Sequence, residues 1–311
     1  MRPDVALVSP YPAAGRRHEG FSGVASYTAN LAHGLTGAGL NVRVVAPEAP
    51  GPRAYDDEGV RVERSFRRGP RALSTALRAA RATGAPVVHL QHELFLYGGP
   101  LALPALPVAL RAARRTSVPA VVTMHQVVDP STVDDAYVRM HRVAAPARLA
   151  RAGLAGVQHT IGRLAARTVV HEPAFARFVP GAAVVPHGVE EHDPADRAAA
   201  RRRLGLDPDA FTALCFGFVA PYKGLETACA AADLAGVDVV VAGGEHPRLA
   251  GRDDYAGELR RRFPAARFTG YVDEADVADW FGAVDVALFC YPRPHAASGA
   301  LALALAYGTP S

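Results

Sequence analysis

Two segments of the sequence place glycine at a predicted helix start, a combination that can bind anions. The loop 9–25 follows a predicted strand, and a helix begins in it at Ser22, beside Gly23. The loop 295–299 also follows a strand and opens a helix at Ser298. Because the first amide groups of a helix have no partner within it, either start can bind a phosphate or a carboxylate. An ordinary strand-to-helix turn and a plain serine cap are the alternatives.

Lys223 is the one lysine among the 34 Lys and Arg residues of the chain. It follows a predicted strand, 213–218, and precedes a helix that begins at Gly224. An ammonium is a compact point charge that a guanidinium does not replace. A lysine beside a helix start can hold a phosphate group. The alternative is a solvated loop lysine. This alternative is less favoured, because the chain uses arginine at every other position that has a Lys or Arg.

Histidine follows two other predicted strands. His89, His92 and Glu93 lie at the end of one strand, and His125 lies at the end of the next. Ligands of open parallel sheets bind beyond the carboxyl ends of the strands, so we expect His92 and Glu93 to line a cleft and His125 to contact a substrate. A metal site at the first segment is the alternative, although His89 and His92 face opposite sides of an extended chain. For His125 the alternative is a hydrogen-bonded structural histidine.

The elements that carry these segments alternate between short Val-rich runs and longer Ala- and Leu-rich stretches, which predicts an α/β fold with parallel sheets. The predicted strands are 5–8, 42–45, 87–91, 120–123, 168–170, 183–185, 213–218, 237–242, 267–269 and 286–290. The predicted helices are 22–39, 224–234, 255–263, 274–281 and 298–307. Ser22 and Gly39 are favourable caps for the first helix.

The length of 311 residues suggests two domains at about 150 residues each. We place the first domain at 1–190 and the second at 211–311, joined by a hinge or linker at 191–210 that is rich in Asp, Pro and Arg. The second domain contains four predicted strands, and the sequence stops after a helix, where an α/β sheet would turn into its next strand. We therefore expect a second domain that is incomplete at its C-terminus.

The composition excludes several classes of protein. Half of the residues are hydrophobic and 21% are charged, which is typical of a globular protein and not of a disordered or fibrous one. Asp4 interrupts the start of the chain, which argues against a signal peptide. The apolar stretch 94–110 is broken by three prolines, so it is a poor transmembrane helix. The three cysteines lie in apolar segments without C-x-x-C spacing, which indicates buried thiols and a cytoplasmic location.

The net charge of +4 comes with scattered arginine clusters that have no aromatic residues between them. These clusters, such as Arg201–Arg203, are interpreted as solvated helix faces. The alternative is a peripheral contact with an anionic membrane surface, at the inner face of the membrane. No recognised motif indicates a nucleic-acid partner.

Taken in chain order, these segments resemble the GT-B-fold glycosyltransferases of family 4, the retaining, mannosyltransferase-like group. The resemblance rests on SGVASY at 22–27, VHLQHE at 88–93, VTMH at 122–125, VPHGV at 185–189, GFVAPYKG at 217–224, FTGYV at 268–272 and AYGTP at 306–310. It implies two Rossmann-like domains, the first on the acceptor side and the second binding a nucleotide-sugar. It also implies transfer with retention, without a metal or another cofactor.

The resemblance implies a role for each matching residue. Lys223 would hold the diphosphate, together with the helix start at Ser298, Gly299 and Ala300. His125 would contact the donor sugar near the reacting carbon. The residues expected to line the cleft are Gly23, His92, Glu93 and His187.

The sequence departs from the family pattern at a pair of glutamates. His295 and Leu303 stand at these two positions, and we assign His295 to the catalytic place of the first glutamate. Leu303 cannot bind ribose hydroxyls. Some relatives carry a Ser-Gly helix entry in place of this motif, and Ser298 with Gly299 resembles that variant.

These observations favour a retaining glycosyltransferase that moves a hexosyl group from a nucleoside-diphosphate sugar to a glycan, a lipid-linked molecule or a small molecule. The alternative from another class is a non-catalytic protein that binds a nucleotide-sugar or a glycan, which the missing glutamates favour. A truncated product that folds poorly is the third hypothesis, because an unfinished sheet edge invites aggregation.

Overall fold

The computed structural model describes residues 2–14, 22–141, 143–193, 195–246, 251, 254–293 and 296–311. The chain divides into two compact units. The first comprises Met1–Arg139, Val143–Gly188 and His295–Ala297, and the second comprises Met140–Arg142, Val189–Pro294 and Ser298–Ser311. Each unit has its own sheet and its own apolar core.

The described residues of the first unit form an eight-stranded sheet with the order β3-β4-β2-β1-β5-β6-β7-β8. All neighbours are parallel except β3 and β4, which form an antiparallel pair. The strands are β1 (Val5–Val8), β2 (Val42–Pro47), β3 (Ala54–Asp57), β4 (Val60–Phe66), β5 (Val87–His92), β6 (Ala120–Met124), β7 (Arg167–Val170) and β8 (Ala182–Val184). The helices are α1 (Gly23–Gly37), α2 (Ala72–Ala82), α3 (Ala105–Arg114), α4 (Asp135–Met140), α5 (Ala147–Leu164) and α6 (Pro173–Ala176).

Helices cover both faces of this sheet, because its central strands are apolar on both sides. On one face Val8 packs in a core with Leu77 of α2 and Leu110 of α3. On the other face Leu7 packs with Ala29 of α1. This packing fixes the strand ends from which the polar residues of the first unit project.

The described residues of the second unit form a four-stranded parallel sheet with the order β11-β10-β9-β12. Its strands are β9 (Thr212–Phe216), β10 (Asp238–Ala242), β11 (Arg267–Gly270) and β12 (Val286–Ala287). Its helices are α7 (Arg197–Leu204), α8 (Leu225–Ala235), α9 (Tyr255–Arg262), α10 (Val277–Ala283) and α11 (Gly299–Ala306). In the part of the chain that the structure describes, no helix is both long and apolar enough to span a bilayer.

The predicted α/β fold with two sheets is confirmed, and the predicted strands are present with bounds that shift by at most two residues, with one exception. The segment 286–290 is a strand only over Val286–Ala287, after which Leu288 adds one more hydrogen bond to Leu214. The hairpin of β3 and β4 was not predicted, because β3 is a polar edge strand without an apolar run. The predicted linker 191–210 contains α7, which belongs to the second unit.

The prediction that the arginine clusters are solvated helix faces is wrong for Arg201. Its side chain is 2% exposed and donates hydrogen bonds to the backbone oxygens of Asp207, Pro208, Ala210 and Ala283, and to the Asp285 carboxylate at 3.0 Å. A buried guanidinium with this many acceptors ties α7 to the second sheet.

The described cysteines are free thiols, as the sequence predicts. Cys215 and Cys229 are buried, and Cys290 is half-buried. Burial raises the pKa of the Cys215 thiol to about 12 and that of Cys229 to about 11, so both remain protonated at neutral pH.

Candidate functional site

Lys223 ends a short 3-10 helix, Pro221–Lys223, directly before α8. Its Nζ donates to the hydroxyl of Tyr291 at 3.2 Å, and it lies 4.9 Å from the centre of the Tyr291 ring and 5.8 Å from that of Tyr222. Among the described residues no carboxylate forms an ion pair with Lys223. The ammonium is therefore held by aromatic rings and a hydroxyl, and no carboxylate of the described residues neutralises its charge.

The loop that carries Lys223 requires a glycine after it. Gly224 has a φ of +67°, and a Cβ at this position would lie 1.8 Å from the backbone oxygen of Cys290. The close approach brings the Lys223 loop against the chain that follows β12, which is where Tyr291 lies.

The start of α11 lies beside the same tyrosine. Ser298 caps the helix, since its hydroxyl accepts a hydrogen bond from the amide of Leu301 at 3.1 Å. The hydroxyls of Tyr291 and Ser298 are 2.6 Å apart. Lys223, Tyr291 and Ser298 are thus joined by consecutive hydrogen bonds that end on the helix start.

Gly217 lies close to both the start of α11 and Lys223. A Cβ on Gly217 would lie 3.7 Å from Nζ of Lys223 and 3.9 Å from Cβ of Ala300. Gly299 is the first residue of α11. The structure therefore brings together the lysine and the helix start that the sequence assigned to one phosphate site, at residues 298–300.

Tyr291 was not predicted as a site residue. Its only signal is its position directly after the predicted strand 286–290. Leu303, which stands at a glutamate position of the family pattern, lies in α11 and packs on the apolar core around Leu214. His295, which the sequence analysis predicted to be catalytic, lies outside the described residues.

In the first unit, three histidines lie at the carboxyl ends of neighbouring strands. His92 ends β5, His125 follows β6, and His171 follows β7. Because β5, β6 and β7 are parallel neighbours, these residues lie side by side at one edge of the sheet. The backbone amide of His125 donates to the backbone oxygen of His92 at 2.9 Å, which holds the two strand ends together.

Hydrogen bonds fix the ring of His125 on both sides. Its Nε2 lies 2.8 Å from the side-chain oxygen of Gln91, and its Nδ1 lies 3.4 Å from Nε2 of His171. Nδ1 of His171 lies 3.0 Å from the backbone oxygen of Val185. His171 was not predicted as a site residue, although it follows the predicted strand 168–170 just as His125 follows its own.

Tyr27 of α1 packs against three rings of this cluster. Its ring centre lies 4.6 Å from that of His125, 5.2 Å from that of His171 and 4.9 Å from that of His187. His187 therefore lies next to His125 and His171, as a half-buried member of the same cluster.

Burial keeps these histidines uncharged. Burial, with repulsion from the neighbouring histidines, lowers the pKa of His125 well below its usual range. Burial lowers the pKa of His89, His92 and His187 to about 4, and it also lowers the pKa of His171. Uncharged imidazoles do not attract an anion, and a nitrogen that has no partner among the described residues, such as Nδ1 of His92, can bind a hydroxyl group.

The remaining predicted residues of the first unit lie near this edge or at its helix start. Glu93 directly follows β5 and is half-buried. Gly23 is the first residue of α1 behind the cap Ser22, and a Cβ at Gly23 would have no neighbour within 4 Å. The described residues contain no group of three or more His, Cys, Asp or Glu with the geometry to hold a metal ion, and this includes the histidine cluster.

Two α/β units, each built on a largely parallel sheet, are the architecture of the GT-B glycosyltransferases. Residues 22–190, more than half of the chain, match the family of the glycosyl transferase 4-like domain. The chain belongs to this family, as the sequence resemblance predicted.

Solved structures support the same fold. Sucrose-phosphate synthase from Thermosynechococcus elongatus is 21% identical with a TM-score of 0.75, over 99% of this chain and 80% of that one. HepE from Anabaena in complex with UDP-glucose is 16% identical with a TM-score of 0.63, and the match covers 98% of this chain and 78% of that one. The catalytic domain of starch synthase IV from Arabidopsis thaliana, bound to ADP and acarbose, is 14% identical with a TM-score of 0.63. The match covers 98% of this chain and 81% of that one.

A curated relative is similar in part of the chain. The D-inositol 3-phosphate glycosyltransferase 2 of Catenulispora acidiphila is 34% identical over 130 residues, which is 38% of this chain. The match spans 30% of the length of that relative.

Proposed function

We propose that the protein transfers a hexosyl group from a nucleoside-diphosphate sugar to an acceptor hydroxyl, with retention of configuration. The observation that carries the proposal is the position of Lys223, whose charge has no carboxylate partner among the described residues and which lies beside the start of α11. HepE in complex with UDP-glucose and starch synthase IV bound to ADP support the assignment of a nucleotide ligand.

The residues of the second unit fit the charge change of the proposed reaction. The bond from the anomeric carbon to the diphosphate oxygen breaks, and negative charge grows on the leaving diphosphate. Lys223 and the amide groups at 298–300 are held in position before this charge develops, which lowers the barrier. In retention the acceptor oxygen bonds to the same face of the sugar, and the acceptor proton leaves with the diphosphate. This cation and these amides supply the stabilisation that a metal ion gives elsewhere, so we propose a metal-independent reaction.

In the first unit, we assign the histidine cluster to hydroxyl groups of the sugar or the acceptor. Its rings are neutral at pH 7, and neutral donors and acceptors bind hydroxyls without a large cost of desolvating a charge. We expect His125 to contact the donor sugar with its ring, because Gln91 and His171 occupy both of its ring nitrogens. We expect His92, Glu93 and His187 to lie around it.

We further propose that the acceptor carries a phosphate. An open pocket of about 500 Å³ lies beyond the end of β4 and is lined by Arg67, Arg68 and Arg71. Arg67 pairs with Glu48, the one carboxylate of the lining, at 2.8 Å, so Arg68 and Arg71 are the cations that we assign to the phosphate. The similar Catenulispora protein is named for D-inositol 3-phosphate. A small phosphorylated molecule and a lipid-linked phosphate share this chemistry. Transfer assays with a soluble phosphate and with anionic vesicles distinguish the two sources and test the cytoplasmic membrane face as the place of action.

The experiment is a transfer assay with purified protein and a panel of UDP-, GDP- and ADP-hexoses, with EDTA present. We expect release of one nucleoside diphosphate and a product whose anomeric proton coupling shows the configuration of the donor. Release that requires added divalent cations would contradict the metal-independent reaction, and an inverted product would contradict retention.

A non-catalytic binding protein is the second candidate, and Leu303 favours it. This leucine packs on the apolar core of the second unit and offers no hydrogen bond to a ribose. Calorimetry that detects nucleotide-sugar binding, together with no release of the diphosphate from any donor in the panel, would establish this candidate in place of the enzyme.

A further inference from the structure

The hydroxyl of Tyr291 lies between a cation and a helix cap. Nζ of Lys223 donates to it at 3.2 Å, and an ammonium has no acceptor, so the direction of this hydrogen bond is fixed. The Tyr291 hydroxyl is also 2.6 Å from the Ser298 hydroxyl, where either oxygen can donate.

The chemistry of the two hydroxyls decides that direction. A phenol is far more acidic than an alcohol, and it becomes a better donor when it accepts from an ammonium, because hydrogen bonds in a chain polarise one another. Tyr291 therefore donates to Ser298.

This direction leaves the proton of Ser298 without a partner among the described residues. The Ser298 oxygen already accepts from the amide of Leu301 at 3.1 Å and now also from Tyr291, which fills both of its acceptor positions. The O–H of Ser298 is then available to donate a hydrogen bond to a ligand. Lys223 uses one of its three N–H groups on Tyr291 and keeps two.

We infer that Tyr291 is a positioning residue of the donor site, which orients Ser298 as a hydrogen-bond donor to a phosphate oxygen and holds Lys223 beside it. The inference rests on the proposed function, because the ligand it serves is the diphosphate of the donor. Tyr291 itself contacts no ligand. It sets the direction of a relay that runs from Lys223 through Tyr291 to Ser298 and ends on the phosphate.

Tyr291→Phe tests the relay, because it keeps the ring that packs on Lys223 and removes only the hydroxyl. Binding of UDP, ADP and GDP is measured by calorimetry for the wild type and the variant. We expect Tyr291→Phe to weaken binding of the nucleotide that the wild type prefers by roughly tenfold, the size of one hydrogen bond to a charged group. The matched control is Tyr307→Phe, which removes a hydroxyl from another tyrosine of the same unit, keeps the ring that stacks on Phe281 and should leave the affinity unchanged.

A double-mutant cycle separates positioning from a merely structural role. Ser298→Ala removes both the donor and the cap, and we expect it to weaken binding much less when Tyr291 is already Phe, because the two residues act as one relay. The inference about Tyr291 is overturned if the losses of affinity in the two single variants add up in the double variant, or if Tyr291→Phe binds as tightly as the wild type. Neither result overturns the proposed function. Failure of the wild type to bind any of the three nucleotides overturns the proposed function as well.

Discussion

His171 presents its Nε2 to Nδ1 of His125 at 3.4 Å, while its own Nδ1 lies 3.0 Å from the backbone oxygen of Val185. A carbonyl oxygen only accepts, so neutral His171 carries its proton on Nδ1 and its Nε2 is an acceptor. His125 must then donate from Nδ1, since two bare nitrogens would repel each other. Its Nε2 is left to accept a hydrogen bond.

Gln91 is the residue that can donate to Nε2 of His125. In the structure its side-chain oxygen faces this nitrogen at 2.8 Å, and its amide nitrogen is buried without a partner among the described residues. The two orientations of an amide have the same shape, and hydrogen bonding decides between them. If the amide is turned, the side-chain nitrogen of Gln91 donates to Nε2 of His125, and each of these two nitrogens has a partner. We therefore assign the NH₂ group of Gln91 to the side that faces His125.

Nitrogen-15 NMR of the histidine side chains tests this order of donors. We expect His125 and His171 to be Nδ1–H tautomers at pH 7, and Gln91→Glu to add a proton at Nε2 of His125, because a carboxylate accepts from it while Nδ1 still donates to His171. The exposed His159, assigned by its own substitution, should be the same in both proteins. An Nε2–H tautomer of His125 in the wild type would contradict the assignment.

Acid should destabilise the fold before its carboxylates titrate. Burial lowers the pKa of His89, His92 and His187 to about 4 in the folded chain, against about 6.5 when unfolded. The unfolded chain therefore binds more protons between these values. The free energy of unfolding is unaffected by these groups above pH 6.5 and falls as the pH drops towards 4, by up to about 1.4 kcal/mol per pH unit for each histidine.

Urea unfolding from pH 8 to pH 4 measures this slope. His92→Asn should make it shallower, because one group with a lowered pKa is lost. A midpoint that stays constant from pH 7 to pH 5 would mean that the histidines are not buried in solution.

Arg201→Lys should destabilise the second unit by at least about 2 kcal/mol. The ammonium cannot serve the backbone oxygens of Asp207, Pro208 and Ala210 together with the Asp285 carboxylate, so buried acceptors lose their donors. Arg202→Lys, one residue along α7 and exposed, is the control and should change the unfolding free energy by less than about 0.5 kcal/mol. Equal stability of the two variants in thermal unfolding would rule out the buried role of Arg201.

Gly224→Ala should be far more damaging than Gly236→Ala. Both glycines have a φ near +65°, so alanine is strained at either by roughly 1–2 kcal/mol. At Gly236 nothing lies within 4 Å of the new Cβ, but at Gly224 the new Cβ would overlap the oxygen of Cys290. We expect Gly224→Ala to lose nucleotide binding and Gly236→Ala to retain it. Calorimetry that gives the same affinity for both variants would show that the loop before α8 does not position Lys223.

The sequence predicted those parts of the fold that depend on local pattern. Apolar runs located the strands, and the serine caps at Ser22 and Ser298 were found because a cap acts within one turn of its own helix. Tyr291 and His171 depend on contacts with residues distant in the chain, which no local pattern records. The burial of Arg201 has the same origin, since its acceptors lie on loops that only the folded sheet brings together.

The affinity of Lys223 variants for nucleoside diphosphates tests the proposed donor site most directly. Calorimetry with UDP, ADP and GDP is carried out on the wild type, Lys223→Arg and Lys223→Ala. We predict that the wild type binds at least one of them, that Lys223→Arg binds it more weakly although its charge is kept, and that Lys223→Ala loses at least about tenfold in affinity. An unchanged affinity in Lys223→Ala would contradict the account.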